Sequence, residues 1–270
     1  TILDEVFRKY TDRQAVKEEN GNAFVEYSKA FGPDFGITLC GEMDKNGFHQ
    51  EYYVPYFRGT GVTSKEDLMV EKHGSRESYA GVMEDPRVGV SLIFYVQNVV
   101  AYKKACVDQM LLNQPVSTTF SGLSDKGEIL LPICKSEEQL QSDREAVSKR
   151  NKLIAAAKKG DEEAIESLTL EDMDTYSMIS QRIVTDDILT IVDSYFMPYG
   201  IECDQYNVLG EILDIMKFKN ILTGEEICQM TIESNDMQFD VCINSKDLLG
   251  EPAVGRRFKG TIWLQGQLHY

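Results

Sequence analysis

The feature that most constrains this chain lies near its C-terminal end. Met237, Phe239, Val241 and Ile243 are apolar, and Gln238, Asp240, Cys242 and Asn244 stand between them. Successive side chains leave a strand on opposite sides, so a two-residue apolar period predicts a strand with one buried and one wet face. The period recurs in Phe258–Leu268, which sets Phe258, Gly260, Ile262, Leu264 and Leu268 on one side and Trp263 on the other. Gly224–Glu233 and Asp236–Asn244 read as a hairpin around Ser234-Asn235. Asp187–Phe196 and Tyr206–Met216 read as further strands, and Ser245–Leu249 as one helical turn. About five strands with a helical turn before the last predict a small antiparallel barrel of the oligonucleotide/oligosaccharide-binding (OB) type. Its expected core is Val208, Ile212, Phe239, Val241, Ile243, Ile262 and Leu264, with Trp263 packed on the helical connector.

Upstream, residues 1–19 carry helical spacing and end at Asn20-Gly21. Ala23–Phe31, Gly36–Met43 and Phe48–Phe57 read as strands, the last two joined by an Asp44-Lys-Asn-Gly47 hairpin. Pro55 confines its strand to an edge or ends it. Short strands are expected around Leu68–Val70 and at Tyr79–Met83 and Val88–Val96, followed by a helix over Gln97–Leu112. Val116–Leu123 and Ile129–Ile133 then flank a second hairpin signal, Asp125-Lys-Gly127. From Ser136 the period becomes helical. A polar helix runs from Glu137 to about Lys159, Gly160 and Asp161 supply a C-terminal and an N-terminal cap, and a short helix is re-capped at Thr169-Leu-Glu-Asp172. The expected architecture is α+β: an N-terminal mixed α/β unit (1–135), a helical connector (136–183) and a C-terminal barrel (184–270).

Charge and cysteines limit the function classes. Lys plus Arg is 28 and Asp plus Glu is 44, a formal net charge of −16. Phosphate-backbone affinity comes from clustered cations, so a nucleic-acid partner is disfavoured. The longest apolar run, Val88–Val100, is interrupted by Gly89, Ser91, Gln97 and Asn98 and is too short for a membrane span. Six scattered cysteines without a C-x-x-C pair fit free thiols in a reducing cytoplasm, with no disulfides.

Few motifs carry chemistry. His49-x-Glu51 and Glu71-x-His73 each place two ligand types on one strand face, and pairing of the two strands would gather a metal site. That spacing also arises by coincidence on solvated strands, and no metal or other cofactor is expected. Of three histidines, His269 is penultimate, a poor place for a positioned base. Gly59-Thr-Gly61 lacks the rest of a dinucleotide fingerprint, and neither a P-loop nor a nucleophile elbow occurs. Tyr52, Tyr53, Tyr56 and Phe57, followed by Arg58, could stack on a ring or fill core. Arg256, Arg257 and Lys259 form the densest C-terminal cation group, suited either to an anion or acidic partner or to the chain's own acids.

The segments 88–102, 168–180, 192–212 and 250–266 resemble an uncharacterised bacterial family of gut-type Gram-positive anaerobes, catalogued as a domain of unknown function. The resemblance implies a cytoplasmic bacterial protein and assigns no catalytic residue. The expected function is non-catalytic binding of a protein or small molecule. The alternatives are a metal-dependent enzyme using His49, Glu51, Glu71 and His73, and single-stranded nucleic-acid binding by the barrel.

Overall fold

The computed structural model describes residues 1–18, 21–72, 74, 77–108, 116–133, 137–157, 159–182 and 188–270. They form two compact units: Thr1–Leu130 with Ser194–Tyr270, and Leu131–Asp193. The division expected between 1–135 and 184–270 is not one between compact units, because strands from both stretches share a sheet.

The chain opens with α1 (Ile2–Arg8), where Thr1 Oγ1 accepts from the Asp4 amide at 3.2 Å. The helix is far shorter than the expected 1–19. After it, β1 (Asp12–Lys17) pairs antiparallel with β2 (Ala23–Gly32) and buries Val16, so long-range pairing overrides the local helical period. β3 (Phe35–Asp44) and β4 (Gly47–Phe57) complete a four-stranded meander. Asp44 Oδ1 accepts from the amides of Asn46 (2.7 Å) and Gly47 (3.0 Å) and shapes the expected turn. β4 is an edge strand, as Pro55 requires.

β5 (Leu68–Lys72), β6 (Tyr79–Glu84) and β7 (Ser91–Val96) form a second antiparallel run, and α2 (Val99–Val107) follows. β8 (Ser117–Leu130) is one strand of 14 residues rather than the expected hairpin. Its partner shows a register shift at Ser124–Lys126. Phe120 and Gly122 face inward before this bulge, and Gly127 after it. An extra residue in one strand inverts the side-chain phase, so one strand reads as two with a turn between them.

The remaining strands of this unit are β9 (Tyr195–Pro198), β10 (Gln205–Lys219), β11 (Glu226–Ser234), β12 (Met237–Asn244), β13 (Leu248–Leu249) and β14 (Arg257–His269). β8, β12, β11, β10 and β14 pair in that order and β14 returns to β8, which closes a five-stranded barrel. The barrel is not wholly antiparallel, since the β12–β8 joint is parallel. Its first strand comes from the N-terminal part of the chain, outside the expected 184–270. Asp187–Phe196 is also not one strand: its described part is a short helix followed by β9. All seven expected core residues are buried to within 1% of full burial, because one inward face per strand forces the two-residue period. The β11–β12 turn uses Asn235 (φ 51°) and Asp236 (φ 59°), the left-handed pair that a two-residue hairpin needs.

The outward face of β12 is wet only toward its ends, at Gln238 and Asn244. Asp240 and Cys242 are buried, because Val25, Tyr27, Phe35 and Leu39 of the meander pack with Ile227, Cys242, Leu123 and Phe218 of the barrel wall. Gln265 fastens β4 there: its amide accepts from Phe57 N at 3.1 Å and donates to Pro55 O at 2.9 Å. Trp263 lies on β14. Its indole donates to Asp204 at 2.6 Å and its ring lies 5.5 Å from that of Tyr95.

The second unit holds α3 (Glu137–Ala157), α4 (Glu162–Arg182) and α5 (Ile188–Ile191). Gly160 takes φ 85°, and Asp161 Oδ1 accepts from the amides of Glu163 and Ala164, the two caps expected there. α4 runs unbroken through Thr169, whose hydroxyl is spent on Ile165 O at 2.9 Å rather than on a new cap. Lys149 and Glu171 join α3 to α4 at 2.7 Å. No helix among the described residues is long and apolar enough to cross a membrane.

Candidate functional site

A cleft of about 340 Å³ opens on the outer wall of the barrel. Strand register builds its floor. Lys126 of β8, Thr261 of β14 and Asn207 of β10 lie in one cross-strand row, and Glu128 and Lys259 are direct partners in another. Thr261 Oγ1 donates to Asn207 Oδ1 at 2.8 Å, and Lys259 Nζ donates to Glu128 Oε1 at 2.5 Å. Gly127 and Gly260 face each other beneath this floor. A Cβ on either would strike the Phe258 ring inside the barrel, at 2.4 and 2.5 Å, so core packing requires both glycines.

Two tyrosines and a leucine form the walls. Tyr195 is held by β9, which pairs with β10, and its carbonyl accepts from Ser234 Oγ at 3.0 Å. Tyr199 is placed by its amide, which donates to Gln205 O at 2.9 Å. The Lys126 ammonium lies 5.8 Å from the centre of the Tyr199 ring, within cation–π range. Leu249 of β13 stands at the rim, exposed. Burial pushes the Tyr195 phenol up from its ordinary value, against the pull of Lys259, so it stays protonated and can donate. With two lysines against one glutamate, the cleft carries a local charge of +1 in a chain of −16.

Lys259 is the one residue of the expected cation group that lines this cleft. Arg257 is buried, and Arg256 precedes the strand and donates to Glu251 O at 2.6 Å. The three therefore do not share one patch. Lys126, Glu128, Asn207, Tyr195, Tyr199 and Thr261 escaped the sequence reading. The one available signal was the outward series Lys259, Thr261, Trp263, whose neighbours on β8 and β10 local pattern cannot reveal.

The pairing that a His/Glu metal site needs is not formed. Among the described residues β4, with His49 and Glu51, pairs only with β3, and β5, with Glu71, pairs with β6 in the other sheet. His49 is exposed, its Nε2 3.1 Å from Asp44 Oδ1, and His73 lies outside the described residues. Among the described residues no three His, Cys, Asp or Glu side chains gather as metal ligands. His269 is held within β14, its Nε2 2.8 Å from Thr119 Oγ1. In the aromatic cluster Tyr56 and Phe57 are buried, Arg58 lies over Tyr56 at 4.8 Å, Tyr52 donates to Glu77 O, and Tyr53 is exposed. Cys40, Cys106, Cys203, Cys228 and Cys242 are free thiols, and Cys134 lies outside the described residues.

A much smaller cavity, about 20 Å³, is lined by Asp34, Arg58, Asp214 and Asp240 among others. Asp240 is held there by three bonds: it accepts from Thr60 N (2.7 Å), Thr60 Oγ1 (2.8 Å) and Thr231 Oγ1 (2.6 Å). These bonds fix the segment after β4 to the barrel, and the space suits about one water.

The model of a family described as "Domain of unknown function, E. rectale Gene description (DUF3881)" matches residues 1–266. No curated protein and no solved structure matches the chain.

Proposed function

We propose a non-catalytic binding function for this chain, which belongs to that family over almost its whole length, with the cleft on the barrel wall as the ligand site. The observation that carries the reading is the convergence of two tyrosines, two lysines and the Thr261–Asn207 pair on a concave space of small-molecule size. The cleft contains no histidine or cysteine, and its single carboxylate is engaged by Lys259. A binding role needs neither nucleophile nor base.

An OB-like barrel is supported by strand order. If β10, β11, β12, β14 and β8 are numbered one to five, the ring runs 1-2-3-5-4, with its parallel joint between three and five. That is the OB order, with the last strand moved ahead of the others in the chain. OB barrels bind oligonucleotides on strands two and three, here β11 and β12. That face is covered: Ile227 and Cys242 are buried under the meander, and Gln229 donates to Pro33 O at 2.9 Å. Together with the charge of −16, this removes support for a nucleic-acid partner.

A cytoplasmic location is supported by the free and exposed Cys106 and Cys203, which suit a reducing compartment. The binding reading is tested by ligand-observed NMR of a fragment library against the wild type and Tyr199→Ala. Fragments that bind the wild type and are lost from the variant are expected. A hit set unchanged in Tyr199→Ala contradicts the site.

A further inference from the structure

We infer that the cleft takes a phosphate monoester carried on a ring, as in a sugar phosphate or a nucleoside monophosphate; this inference rests on the binding reading above. Three features of the wall point to it. First, its cations are lysines and not arginines. An ammonium is a point charge with three donors that meets a tetrahedral phosphate from any side. Lys126 is the cation placed for this, since it is exposed and its ammonium lies over the Tyr199 ring.

Second, the floor offers an acceptor and a donor–acceptor pair instead of further cations. Glu128 accepts only, while Thr261 and Asn207 each retain capacity beyond their mutual bond. Such groups match ring hydroxyls. Third, Tyr195 and Tyr199 line the cleft, and a tyrosine ring is a surface on which a sugar or base can lie. A volume of about 340 Å³ has room for one ring and its phosphate, and not for a dinucleotide.

The test is calorimetric titration of the full chain with ribose 5-phosphate and with adenosine 5′-monophosphate. Ribose, adenosine and inorganic phosphate serve as matched controls. At least one phosphorylated ring is expected to bind about tenfold or more tighter than its neutral counterpart and than inorganic phosphate. Lys126→Gln should remove most of that advantage and lower the affinity for phosphorylated rings far more than that for neutral ones. Because Lys126 is exposed, loss of folding is not a competing explanation, and an unchanged melting temperature checks this. Tighter binding of the nucleotide identifies a nucleoside monophosphate, and tighter binding of ribose 5-phosphate a sugar phosphate. Neutral rings that bind as tightly as phosphorylated ones overturn the phosphate assignment while the cleft stands. The assignment is also overturned if no phosphorylated probe binds although library fragments depend on Tyr199. If those fragments ignore Tyr199, it is the binding reading itself that has failed.

Discussion

Glu26 shows how one residue of the meander acquires a role that its position in a strand does not announce. It is buried to 6% exposure, opposite Cys40 across β2 and β3, and the Val100 backbone amide works against the effect of that burial. Val100 lies in the first turn of α2, whose own N-cap, Asn98, spends its side chain on Leu268. Glu26 therefore faces the amide-rich first turn of α2 from another strand. Burial raises its pKa from 4.5 to about 7, with Asp12 pushing the same way and Arg58 and Lys104 opposing. The folded state thus holds the Glu26 proton more tightly than the unfolded chain does. The Glu26 contribution to stability is most favourable below pH 4.5 and is lost as pH rises toward 7. At about 1.36 kcal/mol per unit, the penalty above pH 7 is about 3 kcal/mol. Glu26→Gln keeps the acceptor and removes the charge. Denaturant unfolding should show it more stable than wild type by about 2–3 kcal/mol at pH 8 and nearly equal at pH 4.5. A constant difference across that range would disprove the assignment. In sequence Glu26 reads as an outward polar residue, because nothing local reveals that both faces of the meander are covered.

At the scale of elements, legibility followed phase. β12 and β14 were readable because each presents an unbroken two-residue period to a single interior. β8 was not, since its bulge inverts the phase near Asp125 and Gly127 then resembles a turn glycine. Gly127 is there because Phe258 occupies the space that its Cβ would need. Gly127→Val should destabilise the protein by about 1–3 kcal/mol through overpacking, which thermal unfolding would read. A neutral substitution would mean that β8 does not run through the barrel wall at this point. The cleft was illegible for a related reason. Its residues come from five strands and a loop, and only Lys259 stood out by local charge.

The whole molecule depends on closure between distant parts of the chain. The helical connector was recognisable by its change of period, and Leu131–Asp193 overlaps the expected 136–183. The barrel's strand order was not recognisable, because no short-range pattern tells β8 to pair with β14 and β12 across the connector. It follows that 184–270 alone lacks one wall of the barrel and leaves β12 and β14 with unpaired edges. Expressed alone, that fragment should show no cooperative thermal transition; a sharp one would contradict the shared-barrel account.

The central claim is that ligands meet this protein at the Lys126–Tyr199–Thr261 wall and not on the β11–β12 face covered by the meander. The most direct measurement is backbone amide chemical-shift mapping of the full chain during titration with the fragments that bind it. The account predicts shifts concentrated at Lys126–Glu128, Tyr195, Tyr199 and Lys259–Thr261, with Gln229, Thr231 and Asp240 unmoved. Shifts centred on Gln229, Thr231 and Asp240, with the cleft silent, would contradict it.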